Sequence, residues 1–90
     1  MILQGKLYTI DTELCNLLSK SNQSKLFTIE NKYTGDEIEE AIVSYITHHD
    51  LWAFNESIYV NEDIKKIIGD THLVFLEDLY HKLIHKLKIV

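Results

Sequence analysis

The sequence predicts a small α+β domain of about four helices and a short β-sheet, and three observations predict it. Helical and strand periodicities alternate along the chain, and helix-starting side chains stand ahead of the apolar stripes. Ninety residues suit one domain, which spans 1–90. Hydrophobic residues make up 46% of the chain, with no proline and no low-complexity tract, so a core can form and disorder is not expected.

Each element has a local cause. Lys6 to Ile10 reads as a short strand. Asp11 caps a first helix, with Glu13 in its first turn, where a carboxylate suits the helix dipole. Leu14, Leu17 and Leu18 form its inward stripe, and serines with Asn22 end it. Lys25-Leu-Phe-Thr-Ile-Glu30 alternates like a strand. Thr34-x-x-Glu37 is a capping box, in which hydroxyl and carboxylate satisfy free amides at a helix start. Behind it Ile38, Ala41, Ile42, Tyr45 and Ile46 recur at helical spacing, while Asp36, Glu37 and Glu40 face water. This stripe ends near Asp50.

Ser57 to Val60 is dense in β-branched and aromatic residues and reads as a strand. Asn61 caps a third helix bearing Ile64, Ile67 and Ile68, and Gly69 stands where a left-handed stop is needed. A last helix is expected from Asp70 or Thr71, carrying Leu73, Leu76, Leu79, Tyr80, Leu83, Ile84 and Leu87. Its lysines cluster at the carboxyl end, which favours positive charge. Lys88 to Val90 adds a terminal strand. Neither a linker nor a repeat is visible.

Charge and composition narrow the function. The net charge is −5 and every basic residue is lysine. Gripping nucleic acid alone calls for a basic face, and arginine is the commonest reader of guanine edges. Direct DNA binding is therefore expected to be weak or absent. Cys15 is the one cysteine, which excludes an internal disulfide and suits a reducing compartment. The opening Met1 to Lys6 turns polar too soon for a signal peptide, and no stretch approaches a membrane span, so an intracellular location is expected. Abundant isoleucine, asparagine and lysine hint at an A+T-rich genome, such as that of a large DNA virus or a protozoan.

Each reactive-looking group has a plainer explanation. His81 and His85 stand four apart, the spacing of two metal ligands, but the local pattern supplies no third; Glu77 is one turn away. They read as a solvated face, so no metal and no cofactor are expected. His48-His49-Asp50 ends the second helix, where imidazoles cap carbonyls. Cys15 reads as a small buried hydrophobe, since only the helix start would lower its pKa and Glu13 opposes that effect. Glycines at 5, 35 and 69 cannot build a phosphate loop. Asp36, Glu37, Glu39 and Glu40 read as an acidic, solvated helical face. Trp52 is more telling, because a large amphipathic ring between a helix end and a polar loop often lines a binding surface.

In order, Tyr45-Ile46, Ile58-Tyr59-Val60-Asn61 and Ile64-Lys65-Lys66-Ile67-Ile68-Gly69 resemble the SWIB family. That signature is an amphipathic helix ending in an aromatic-isoleucine pair, a polar loop, an isoleucine-rich strand and a capped helix closed by glycine. The resemblance covers roughly residues 7 to 88. The same fold occurs in the amino-terminal domain of the Mdm ubiquitin ligases, which holds an amphipathic activation-domain helix in a hydrophobic cleft. Tyr33-Thr34, Leu51-Trp52 and Leu87 to Val90 also resemble that cousin. Carried over, the resemblance implies a groove supplied by Ile42, Ile46, Trp52, Tyr59, Ile68, Leu79, Tyr80 and Leu83. Glu39 stands where the cousin has leucine and Thr47 where it has methionine, and both changes narrow or polarise the groove.

The resemblance implies a non-enzymatic protein-interaction module acting in chromatin remodelling or transcription. Its expected partner is an amphipathic helix or a subunit of such a complex, in the nucleus or in a viral replication compartment. Two alternatives are Mdm-like capture of a transcription-factor activation helix, and a DNA-associated accessory protein working with a topoisomerase or polymerase.

Overall fold

A computed structural model of the chain describes residues 6–21 and 26–90. Four helices alternate with short antiparallel strands: β1 (Leu7–Ile10), α1 (Thr12–Leu18), β2 (Tyr33–Thr34), α2 (Gly35–His48), β3 (Ser57–Tyr59), α3 (Glu62–Ile68), β4 (Leu73–Phe75), α4 (Leu76–Leu83) and β5 (Leu87–Ile89). One turn of 3₁₀ helix, Ile84–Lys86, joins α4 to β5. The architecture is α+β, as the periodicities predict.

The helix starts form as their side chains dictate. Leu14 N–H donates to Asp11 Oδ1 at 2.9 Å and Ile64 N–H to Asn61 Oδ1 at 3.0 Å, each satisfying an amide of the first turn. At α2, Glu37 N–H donates to Thr34 Oγ1 at 3.1 Å while Thr34 N–H donates to Glu37 Oε1 at 2.9 Å, closing the capping box. Thr34→Ala should therefore cost about 1 kcal/mol, read as a lowered midpoint in thermal or urea unfolding. An unchanged midpoint would mean that water replaces the box without loss. The third helix ends at Gly69, whose φ of 100° lies in the region glycine tolerates.

A three-stranded sheet has the order β2-β1-β5, with Tyr8 opposite both Tyr33 and Ile89. A second sheet pairs β3 with β4, placing Ile58 opposite Val74, and Trp52 bridges to Ile58 from the other side. The order strand, capped seven-residue helix, short strand, longer helix occurs twice, as β1-α1-β2-α2 and β3-α3-β4-α4. The short helices correspond at their caps, Asp11 and Asn61, and at Leu14 and Ile64, Leu17 and Ile67, and Leu18 and Ile68. The join to the next strand is much longer in the first half, which hides the repetition in the sequence. Helices and strands close over one core, with Leu14, Ile38, Ala41, Ile46, Ile58 and Leu79 among its most enclosed side chains.

Three expectations are corrected. The expected strand at 25–30 does not form among its described residues, 26–30, and Lys25 lies outside them, as does Asn22. The alternation there reflects one anchor: Phe27 is buried with its ring 4.7 Å from that of Tyr33, and Thr28 N–H donates to the Tyr33 hydroxyl at 2.8 Å. The last helix starts at Leu76, not at Asp70 or Thr71. Leu73–Phe75 instead pairs with β3, and Phe75 enters α4 with extended φ and ψ of −74° and 148°. Ile84 belongs to the 3₁₀ turn, and Leu87 opens the terminal strand one residue before Lys88, opposite Ile10.

Candidate functional site

The chain leaves α2 through Asp50, whose φ of 55° turns the backbone, and Leu51 N–H donates back to Ile46 C=O at 2.9 Å. Trp52 follows at once. Its main chain bridges to Ile58, and its indole Nε1–H donates to Thr47 Oγ1 at 3.0 Å. Tyr59 N–H donates to Leu51 C=O at 2.8 Å, so the segment lies along the outer side of β3. A partly exposed ring is thereby tethered by its indole N–H on a main chain bridged to β3, where helix, loop and strand meet.

The other residues of the expected groove separate by depth. Ile42, Ile46, Leu79 and Leu83 are no more than 1% exposed and belong to the core. As the chain stands they are filled in rather than open, all four enclosed in the one apolar cluster. Tyr80 is 8% exposed, and Trp52 and Ile68 are half-buried against the same cluster. Tyr59 points away from them, 54% exposed on the outer face of β3, where strand alternation turns it opposite to Ile58. Seven of the eight thus adjoin one core, with Trp52, Ile68 and the edge of Tyr80 at its surface.

Glu39 is a correction to the acidic face: it is 4% exposed, on the buried side of α2, whereas Asp36 and Glu40 face solvent. A core-facing arc that includes Gly35, Ile38 and Ile42 takes in position 39 as well. Burial pushes the Tyr80 hydroxyl up to about 12, and the negative charge of Glu39 pushes the same way. A raised tyrosine favours the folded state only while neutral. This contribution is complete below the ordinary value of 10.0 and is lost as pH climbs towards 12. Between pH 9 and pH 12, Tyr80→Phe should therefore lose less stability than the parent chain, by on the order of 2 kcal/mol in urea titrations. Equal alkaline losses in both would contradict this assignment.

A polar network that no local motif announces ties α2, α3 and the turn after α1 together. Asn61, besides capping α3, donates from Nδ2 to the Tyr45 hydroxyl at 2.9 Å. That hydroxyl donates to Asp63 Oδ2 at 3.3 Å, and Lys20 Nζ donates to the same oxygen at 3.0 Å. Burial raises the Tyr45 pKa, against the bond from Asn61, while the Lys20 bond holds Asp63 below its usual range. The participants lie 16 to 43 residues apart, so only the fold reveals them.

The reactive-looking groups are engaged or scattered. Cys15 Sγ–H donates to Phe27 C=O at 3.3 Å, a structural contact. His49 closes α2, with Nε2 3.2 Å from Lys20 C=O and its ring 4.2 Å from that of Tyr45. His81 and His85 are exposed. Among the described residues, no three His, Cys, Asp or Glu side chains group as a metal site requires. Nor is any described helix long and apolar enough to cross a membrane. No protein-family model matches the chain, and no curated protein matches it.

Proposed function

We propose that this domain is a non-enzymatic protein-interaction module of the SWIB type, which docks an amphipathic helix or partner surface beside Trp52. The observation that carries the reading is the setting of that ring. It is part-exposed, fixed by the Thr47 hydroxyl and the Ile58 bridge, and backed by the buried stripe of α2. Large rings set rigidly over a core lose little freedom on binding and bury much apolar area, which makes them frequent anchors. Helix-in-groove recognition needs such an apolar footing, since affinity comes from anchors spaced at successive helical turns.

The order of elements supports the same reading. The long capped helix, the loop after it, β3 and the Asn61-capped helix closed by Gly69 stand in the order the family resemblance implies. Through it the role is one in chromatin or transcription, exercised by protein contacts rather than by gripping DNA. A net charge of −5 without arginine suits that division of labour. The Mdm ligand itself is not carried over, because Glu39 and Thr47 replace apolar residues of that groove. The test is loss of partner affinity in Trp52→Ala with the fold retained.

A further inference from the structure

We propose that the outer edge of β4 accepts an additional β-strand from a protein partner, an extended segment with apolar side chains at alternate positions and lysine or arginine between them. The ladder shows which groups face outward. Val60 N–H donates to His72 C=O at 3.0 Å and Leu76 N–H to Glu56 C=O at 2.9 Å, on either side of the Ile58–Val74 pair. In an antiparallel ladder bonded pairs alternate with non-bonded ones, so the backbone groups of Leu73 and Phe75 turn away from β3. On β3 the corresponding outward groups are occupied: Tyr59 N–H donates to Leu51 C=O, Ser57 N–H to Phe54 C=O, and Ala53 N–H to Ser57 C=O. On β4, among the described residues, the amides of Leu73 and Phe75 meet no acceptor, and Leu73 C=O accepts only the Thr71 hydroxyl at 3.4 Å. A bare edge of this kind is a template for another strand.

Side chains and charge define the visitor. Leu73 and Phe75 are 41% and 56% exposed beside Tyr59, so the open edge carries an apolar outer face. A depression of about 700 Å³ runs from this edge to α4, lined in part by Ile68, Leu73, Phe75, Asp70, Asp78 and Lys82. Glu77, next to Asp78, is also exposed, so the rim is acidic overall even though Lys65 Nζ stands 3.8 Å from Asp70 Oδ1. Alternate apolar residues would cover the outer face, and basic residues between them would meet the carboxylates. A second copy of the chain suits the edge poorly, since it would bring two acidic rims and two charges of −5 together. This surface excludes Trp52, so it stands or falls separately from the docking proposed there.

The test is a nitrogen-15 NMR titration of the full chain with a blocked Lys-Val-Lys-Val-Lys-Val-Lys peptide and its Glu-for-Lys counterpart. The lysine peptide should produce saturable shifts centred on the Leu73 and Phe75 amides. The glutamate peptide should bind at least about tenfold more weakly. Phe75 already has proline-compatible φ and ψ, so Phe75→Pro removes the outward amide while keeping the entry to α4. It should bind about fivefold more weakly than Phe75→Ala, which loses the ring alone. Shifts elsewhere, absence of saturation, equal binding of the two peptides, or equal affinity of the two variants would each overturn the proposal. Shifts at Leu73 and Phe75 that grow with protein concentration alone would overturn it in favour of a second copy. The two peptides are compared on the unaltered chain, so the proposal stays falsifiable even if Phe75→Pro does not fold.

Discussion

Ile46→Ala is expected to destabilise the domain by about 2–5 kcal/mol, the largest stability loss predicted for this chain. Ile46 is 0% exposed, so truncation removes buried methyl groups and leaves a cavity that a close-packed interior refills only in part. A domain of this size holds roughly 5–13 kcal/mol in all, so the variant should melt well below the parent. Ile46→Val calibrates the effect, at about 0.5–1.5 kcal/mol, because it removes a single methylene. Urea unfolding with an unchanged slope would read both. A loss below about 1 kcal/mol for the alanine variant would mean that Ile46 faces an open cleft, contrary to its burial.

That contrast shows what could be read from the sequence. Asp11, the Thr34–Glu37 box and Asn61 were legible because a cap acts within three residues of itself. The stripe of α2 was legible because its spacing matches one helical face. The strand β4 was not, since Leu73, Leu76 and Leu79 stand at helical spacing and only the distant β3 reveals that Leu73 belongs to a ladder. Position 39 was misread for a related reason. A short polar run looks solvated until the fold buries Glu39 and brings Tyr80 within reach of its charge. The position of Trp52 was visible as a ring after a helix end. The depth of Ile42, Ile46, Leu79 and Leu83 was not, because burial depends on how distant elements close over one core. The bare edge at Leu73 and Phe75 could be seen only once hydrogen-bond alternation was known.

The second large effect falls on binding. Trp52 is partly exposed and held by Thr47, so its truncation opens no sealed cavity and should cost less stability than Ile46→Ala. As a central aromatic anchor it should carry more than about 2 kcal/mol of affinity, close to a thirtyfold change in Kd. The decisive measurement compares the parent chain and Trp52→Ala for affinity towards an amphipathic helical peptide selected by display on the parent, alongside thermal unfolding of both. The account predicts a folded variant whose melting point stays above that of Ile46→Ala and whose affinity falls at least about thirtyfold. A variant that unfolds, or one that stays folded and binds as tightly as the parent, would contradict it.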